Sequence, residues 1–170
     1  IRELVNPTGE KFVVFFGLGM KIDIEPLERL PIWDSPNCMF IVSSNVQVKR
    51  PNVFAIPKDY LESQHYIAAA DLVISKAGWG IVSEAVCNRK PLLILERQTM
   101  KEDQNTISFL KANHLCKTIT WDELRQFVIN EEFINELQNQ HKHDGDFLVN
   151  QADIISKEIL HVLRNKNERV

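Results

Sequence analysis

The chain has 170 residues, 44% hydrophobic and 25% charged, with a net charge of −3 and a pI near 6.0. These values fit one globular domain with a proper core and argue against a general nucleic-acid binder. No apolar run approaches the roughly 20 residues that a membrane span requires, and no signal-peptide pattern opens the chain, so a cytoplasmic setting is expected.

Ile1 to Glu10 holds the turn cluster Asn6, Pro7, Thr8 and Gly9 and reads as a lead-in linker. The chain starts at Ile1 rather than Met and is read as a piece of something longer. Lys11 to Phe16 is a strong strand running straight into Gly17-Leu18-Gly19. Met20 to Leu30 has weak helical spacing, with Pro26 suited to a first turn. Met39 to Val42 is a second strand, ending in Ser43-Ser44-Asn45, and Val53 to Ile56 is a third, followed by Pro57. Tyr60 to Ala70 reads as a helix with Leu61, Tyr66, Ile67 and Ala70 facing inward.

The rest of the chain is organised around Asp71 to Leu95, which reads as strand, glycine turn, helix and strand. Leu72, Val73 and Ile74, ending at Ser75, have the pattern of a strand buried on both faces. Gly78 and Gly80 bracket a turn whose backbone can approach another molecule closely. From Ile81 the spacing is helical, with Arg89 and Lys90 in the last turn and Pro91 as the stop. Leu92 to Leu95 is again wholly apolar. A glycine turn opening a helix at a strand's carboxyl end is an anion site by its free N–H groups and dipole, although it also serves as a plain tight connection.

Glu96 to Glu102 is a polar loop, and Asp103 can cap a helix carrying Ile107, Phe109 and Leu110 up to Asn113, suited to a left-handed C-cap. Cys116 to Ile119 is a sixth strand, and Thr120 with Glu123 makes a capping box. A helix over Glu131 to Gln140, a polar break at His143 to Asp146, a long amphipathic helix from Phe147 to Leu163 and a charged tail from Arg164 complete the chain. Cys38, Cys87 and Cys116 fit buried reduced thiols and lack the spacing of a zinc site. His65, His114, His141 and His143 read as surface or capping residues.

Strands alternating with helices predict a doubly wound α/β fold: a mostly parallel, six-stranded Rossmann-like sheet with helices on both faces. Its ligand crevice lies between the first and fourth strands, which sets Gly17 to Met20 beside Ser75 to Gly80. A dinucleotide site is disfavoured, because Ile22 stands where a third glycine belongs and Ser43-Ser44-Asn45 supplies no acid for a ribose. No GxxxxGK[ST] loop is present either.

From Ala70 to Gln104 the chain resembles the C-terminal, donor-binding half of two-domain (type B) glycosyltransferases. The likeness is strongest to the family of the peptidoglycan-precursor N-acetylglucosaminyltransferase. It rests on Ala70-Asp71, Ala77-Gly78, Ser83-Glu84-Ala85, Lys90-Pro91 and Asp103-Gln104 in order. The resemblance implies that Ala77, Gly78, Trp79 and Gly80 offer N–H groups to a donor diphosphate, faced by Gly17 and Gly19. It implies that Glu84, beside Ser83, accepts from ribose hydroxyls, that Ile56 meets the base, and that Asp103 and Gln104 hold the sugar. The departures are Gly17-Leu18-Gly19-Met20 for a Gly-Ser loop, a bulky Trp79, and Ile107 in place of an Asn.

The function implied is UDP-sugar binding within a glycosyltransferase for a hexose or N-acetylhexosamine, metal-independent and with no cofactor. A nucleotide-sugar hydrolase and a non-catalytic donor-binding subunit are the alternatives. The general base and acceptor site would belong to a missing N-terminal domain or partner subunit, to which the final helix would dock and which would carry any peripheral membrane attachment.

Overall fold

A computed structural model of the chain describes residues 1–18, 27–44, 46–97, 100–113, 116–140 and 152–167. Gly19 and Met20, His114, His141, His143 and the segment Phe147 to Gln151 lie outside the described residues. Six strands form one sheet: β1 (Phe12–Gly17), β2 (Cys38–Val42), β3 (Val53–Ala55), β4 (Leu72–Lys76), β5 (Leu92–Leu95) and β6 (Cys116–Ile119). Their order is β3-β2-β1-β4-β5-β6 and every pairing is parallel, so the predicted doubly wound sheet is the observed one. The order reverses between β1 and β4, where Gly17 is registered against Ser75.

The strands are apolar on both faces because both are covered. Val14, Phe16, Phe40, Leu72, Ile74 and Leu93 pack in one layer. Val13, Phe15, Ile41, Val73, Leu92 and Ile94 pack in the other. The first layer holds Trp33, edge-on to Phe16 at 4.8 Å and Phe40 at 5.0 Å, with its indole N–H bonded to the Leu27 carbonyl. It is closed by α5 (Trp121–Leu124) and α6 (Glu131–Gln140) through Leu124 and Leu137. The second layer is closed by α2 (Gln64–Ala69), α3 (Trp79–Cys87) and α4 (Lys101–Ala112) through Ile67, Ala85 and Ile107.

Several local expectations need correction. The helix expected from Tyr60 begins at Gln64, so Leu61 lies in the irregular segment before it, 91% exposed. Helix α4 begins at Lys101 with Met100 as N-cap, so Asp103 stands in its first turn rather than at the cap. Phe109 is exposed, and Asn113 has φ −106°, not left-handed. Arg89 instead takes φ 52°, past the end of α3. Cys87 is exposed rather than buried. The capping box at Thr120 and Glu123 is present as expected. Residues 2–5 form a helical turn, α1 (Arg2–Val5), whose Arg2 clamps both oxygens of Asp71 at 2.8 Å. The final helix, α7, runs from Ala152 to Asn167, past the expected end at Leu163 and into the expected charged tail.

Candidate functional site

In a parallel sheet, the segments that follow the strands gather at one edge. Here that edge brings together Gly17 at the end of β1, Ile56 after β3, Ala77 to Gly80 after β4, and Arg97, Asp103 and Gln104 after β5. One close approach makes this edge compact. A Cβ on Gly17 would lie 2.6 Å from Phe15 Cε1 and 2.9 Å from Ile81 Cδ1, so only glycine lets β1 end against the first turn of α3. At the opposite edge, where β1 and β4 begin, Asp71 joins the two central strands, accepting from the Val13 N–H at 2.8 Å while its own N–H donates to the Val13 carbonyl at 2.7 Å.

The β4–α3 turn is built from its own polar groups. The Lys76 carbonyl accepts from Ser75 Oγ at 2.7 Å and from the Gly78 N–H at 2.8 Å. Gly78 is the N-cap of α3, and no side chain caps the helix. The Val82 N–H donates to the Gly78 carbonyl, leaving the N–H groups of Trp79, Gly80 and Ile81 without partners among the described residues. These three amides lie at the positive end of the helix dipole, where free N–H groups favour an anion. Gly78 therefore serves the turn with its N–H, and Ile81 adds an amide that the sequence reading did not include.

Lys76 was also missed. Its stem passes 3.8 Å from the place a Gly78 Cβ would occupy, and it pairs with none of the described carboxylates. A lysine stem this close to an uncapped helix N-terminus adds positive charge where the helix dipole already favours an anion. The available signal was its position, directly before Ala77-Gly78.

One turn into α3, Ser83 Oγ donates to the Gly80 carbonyl at 2.9 Å. Glu84 is half-buried and its carboxylate takes no partner among the described residues, so both oxygens remain available as acceptors. Trp79 is 73% exposed and stands, with Ser83, Val82, Val86, Phe109 and Leu110, around an apolar cleft of about 450 Å³ between α3 and α4. The Ile56 N–H donates to the Val42 carbonyl at 2.9 Å, which leaves its carbonyl as the backbone group to meet a ligand. On the β5 side, Asp103 is buried and both of its oxygens accept from Arg97, at 2.6 and 2.8 Å. Gln104 is exposed and its Nε2 donates to the Arg97 carbonyl at 3.4 Å. Of the histidines, His65 is exposed, with Nδ1 2.9 Å from Tyr60 Oη and 3.3 Å from Glu62. Among the described residues no three of His, Cys, Asp and Glu are grouped to hold a metal, and no helix is long and apolar enough to cross a membrane.

Residues 43–143 match the model of the glycosyltransferase family 28 C-terminal domain. The chain belongs to that family. No curated protein sequence matches it. Among solved structures, the UDP-GlcNAc 2-epimerase of Neisseria meningitidis, bound to UDP-GlcNAc, superposes over 94% of this chain with TM-score 0.59 and 18% identity. The glycosyltransferase SnogD of Streptomyces nogalater superposes over 92% with TM-score 0.56 and 11% identity. Arabidopsis thaliana UGT89C1, complexed with UDP, does so over 82% with TM-score 0.52 and 16% identity. At these identities the likeness is one of fold. This glycosyltransferase family 28 domain spans 47%, 45% and 37% of the three neighbours' own lengths.

Proposed function

We propose that this domain binds a uridine diphosphate sugar at the β1/β4 edge and supplies the donor half of a transferase for a hexose or N-acetylhexosamine. The observation that carries the reading is the juxtaposition of Gly17 and Ser75 with the uncapped N-terminus of α3 and with Lys76, which pairs with none of the described carboxylates. The diphosphate would lie on the amides of Trp79, Gly80 and Ile81, faced by Gly17 and neutralised by Lys76. Glu84, one turn on, would accept from the vicinal ribose hydroxyls, and Ile56 would meet the base through its carbonyl. Gln104, on the neighbouring segment of the same edge, would face the sugar.

In the transfer reaction the bond from the sugar's anomeric carbon to the diphosphate breaks and negative charge builds on the leaving phosphate. Fixed amides, a helix dipole and an ammonium stabilise that charge without reorganising, and this chemistry needs no metal. The acceptor and its general base would come from a further domain or a partner subunit. The ordered motif from Ala70 to Gln104 makes N-acetylglucosamine the first sugar to test.

Calorimetric titration of the protein with UDP, UDP-N-acetylglucosamine and NAD tests the reading. Weak UDP binding, in the high micromolar range or above, is expected of these 170 residues by themselves, since in this reading they build one side of the crevice. No UDP binding at millimolar ligand, or equal binding of NAD, would defeat it.

A further inference from the structure

An ion pair away from the glycine loops joins the end of β5 to the first turn of α4. Arg97 donates from Nε to Oδ2 of Asp103 at 2.6 Å and from Nη2 to Oδ1 at 2.8 Å. The Asp103 side chain is 4% exposed and that of Arg97 29%. Both carboxylate oxygens and one edge of the guanidinium are thereby committed, in the planar fork geometry that fixes orientation as well as distance. The carbonyl of the same Arg97 accepts from Gln104 Nε2 at 3.4 Å. One residue thus holds Asp103 with its side chain and Gln104 with its main chain.

The fold has little need of this arrangement. Helix α4 is already fastened by Ile107 and Leu110 in the core, and Lys111 near its far end bonds Glu96 at 2.9 Å. A buried ion pair is a weak stabiliser, because desolvation offsets most of the attraction. What it does supply is a fixed geometry for the residues it joins. The residue fixed beside it is Gln104, exposed on the edge where the strand ends converge.

We propose that Arg97 and Asp103 form a positioning pair that sets Gln104 against the sugar of the nucleotide-sugar donor, with the Asp103 carboxylate acting on Arg97 and not on sugar hydroxyls. The inference rests on the donor-site reading above. It makes sugar recognition, and not nucleotide recognition, depend on the pair, since the proposed diphosphate and ribose contacts stand on α3.

The test is a titration of wild-type protein, Arg97→Ala, Asp103→Ala and the double variant with UDP, UDP-N-acetylglucosamine and UDP-glucose. Each single variant is expected to weaken the sugar nucleotide by about tenfold relative to UDP, the size of one lost hydrogen bond to a positioned group. The double variant is expected to be no worse than either, because both singles break one device. A sugar-specific loss in Asp103→Ala with none in Arg97→Ala would make Asp103 itself the sugar ligand and overturn the proposal. Equal weakening of UDP and UDP-sugar would reduce the pair to a structural role and overturn it as well. Should the alanine variants fail to fold in a thermal melt, Arg97→Lys and Asp103→Asn carry the test. An unchanged sugar-to-UDP ratio in both would count against the pair. Wild-type protein that binds none of the ligands defeats the donor-site reading. Wild-type binding with no change of ratio in the variants defeats only this inference.

Discussion

Gly80→Ala separates a glycine kept for the fold from one kept for a ligand. In the structure Gly80 occupies the second position of α3, without a left-handed φ, and a Cβ there would meet nothing within 4 Å. The fold alone therefore prefers alanine, which gains up to about 1 kcal/mol over glycine within a helix. For a chain of this length that is a rise of roughly 2–4 °C in melting temperature. Binding should move the other way. Helical Cα–Cβ bonds tilt toward the N-terminus, so the new methyl would lean over the amides of Trp79, Gly80 and Ile81. Keeping a phosphate oxygen from one of those amides forfeits a charge-assisted hydrogen bond of about 1.5–3 kcal/mol, or roughly 10- to 150-fold in UDP affinity.

Gly17→Ala is the contrasting control. Its methyl would sit 2.6 Å from the buried ring of Phe15 and 2.9 Å from Ile81. Overpacking of that kind costs about 1–3 kcal/mol. Thermal melts and UDP calorimetry on the two variants should therefore show opposite signatures. Gly80→Ala should be as stable as wild type or more so and impaired in binding, whereas Gly17→Ala should be destabilised first. UDP affinity unchanged in Gly80→Ala, or destabilisation matching that of Gly17→Ala, would refute the reasoning.

The contrast also marks what was legible in the sequence. Five of the six strands could be read from apolar runs, and the sixth, Cys116–Ile119, from its place between two helical segments. Their order followed from strands alternating with helices, which leaves few topologies. The glycine turn proposed to take an anion was legible between a strand and a helix. Which of its amides stay free was less so, because that depends on a local hydrogen bond, Gly78 to Lys76, that no composition signals. Leu61 looked inward by spacing, yet helix α2 starts three residues later, and Tyr60 packs edge-on to Tyr66 at 5.0 Å in place of a further helical turn. The left-handed residue expected at Asn113 is found instead at Arg89, an arginine that carries no turn signal. The Arg97–Asp103 clamp was invisible for another reason. Six residues of separation put the partners within reach only once the β5–α4 connection has its shape.

Glu84→Ala should weaken UDP more than 2′-deoxy-UDP, by roughly 1.5–3 kcal/mol of extra loss, because the carboxylate is assigned to ribose hydroxyls. Equal losses by calorimetry would remove that assignment. Burial pushes the Cys38 and Cys116 thiols up to about 11, whereas Cys87 is exposed. Alkylation near pH 8 followed by mass spectrometry should therefore modify Cys87 first, and equal labelling of Cys38 would contradict its burial. The Glu96 carboxyl is held below its ordinary range by hydrogen bonds from Lys111 and Thr118. Its contribution to stability is complete above the unfolded carboxylate range and lost as pH falls through the folded value. Melts across acid pH should show a limb that Glu96→Gln removes, and an unaltered limb would place the titration elsewhere. Finally, helix α7 exposes Ile154, Ile155, Ile159, Leu160 and Val162, each 50% exposed or more. A 16-residue helix whose described side chains are all exposed is marginal in water, since nucleation is costly and propagation adds little per residue. Its amides should exchange with solvent far faster than those of β1 and β4, at every protein concentration. Protection that appears only as concentration rises would mean that the apolar stripe joins two copies, and protection in a monomer would mean that the stripe packs on its own domain.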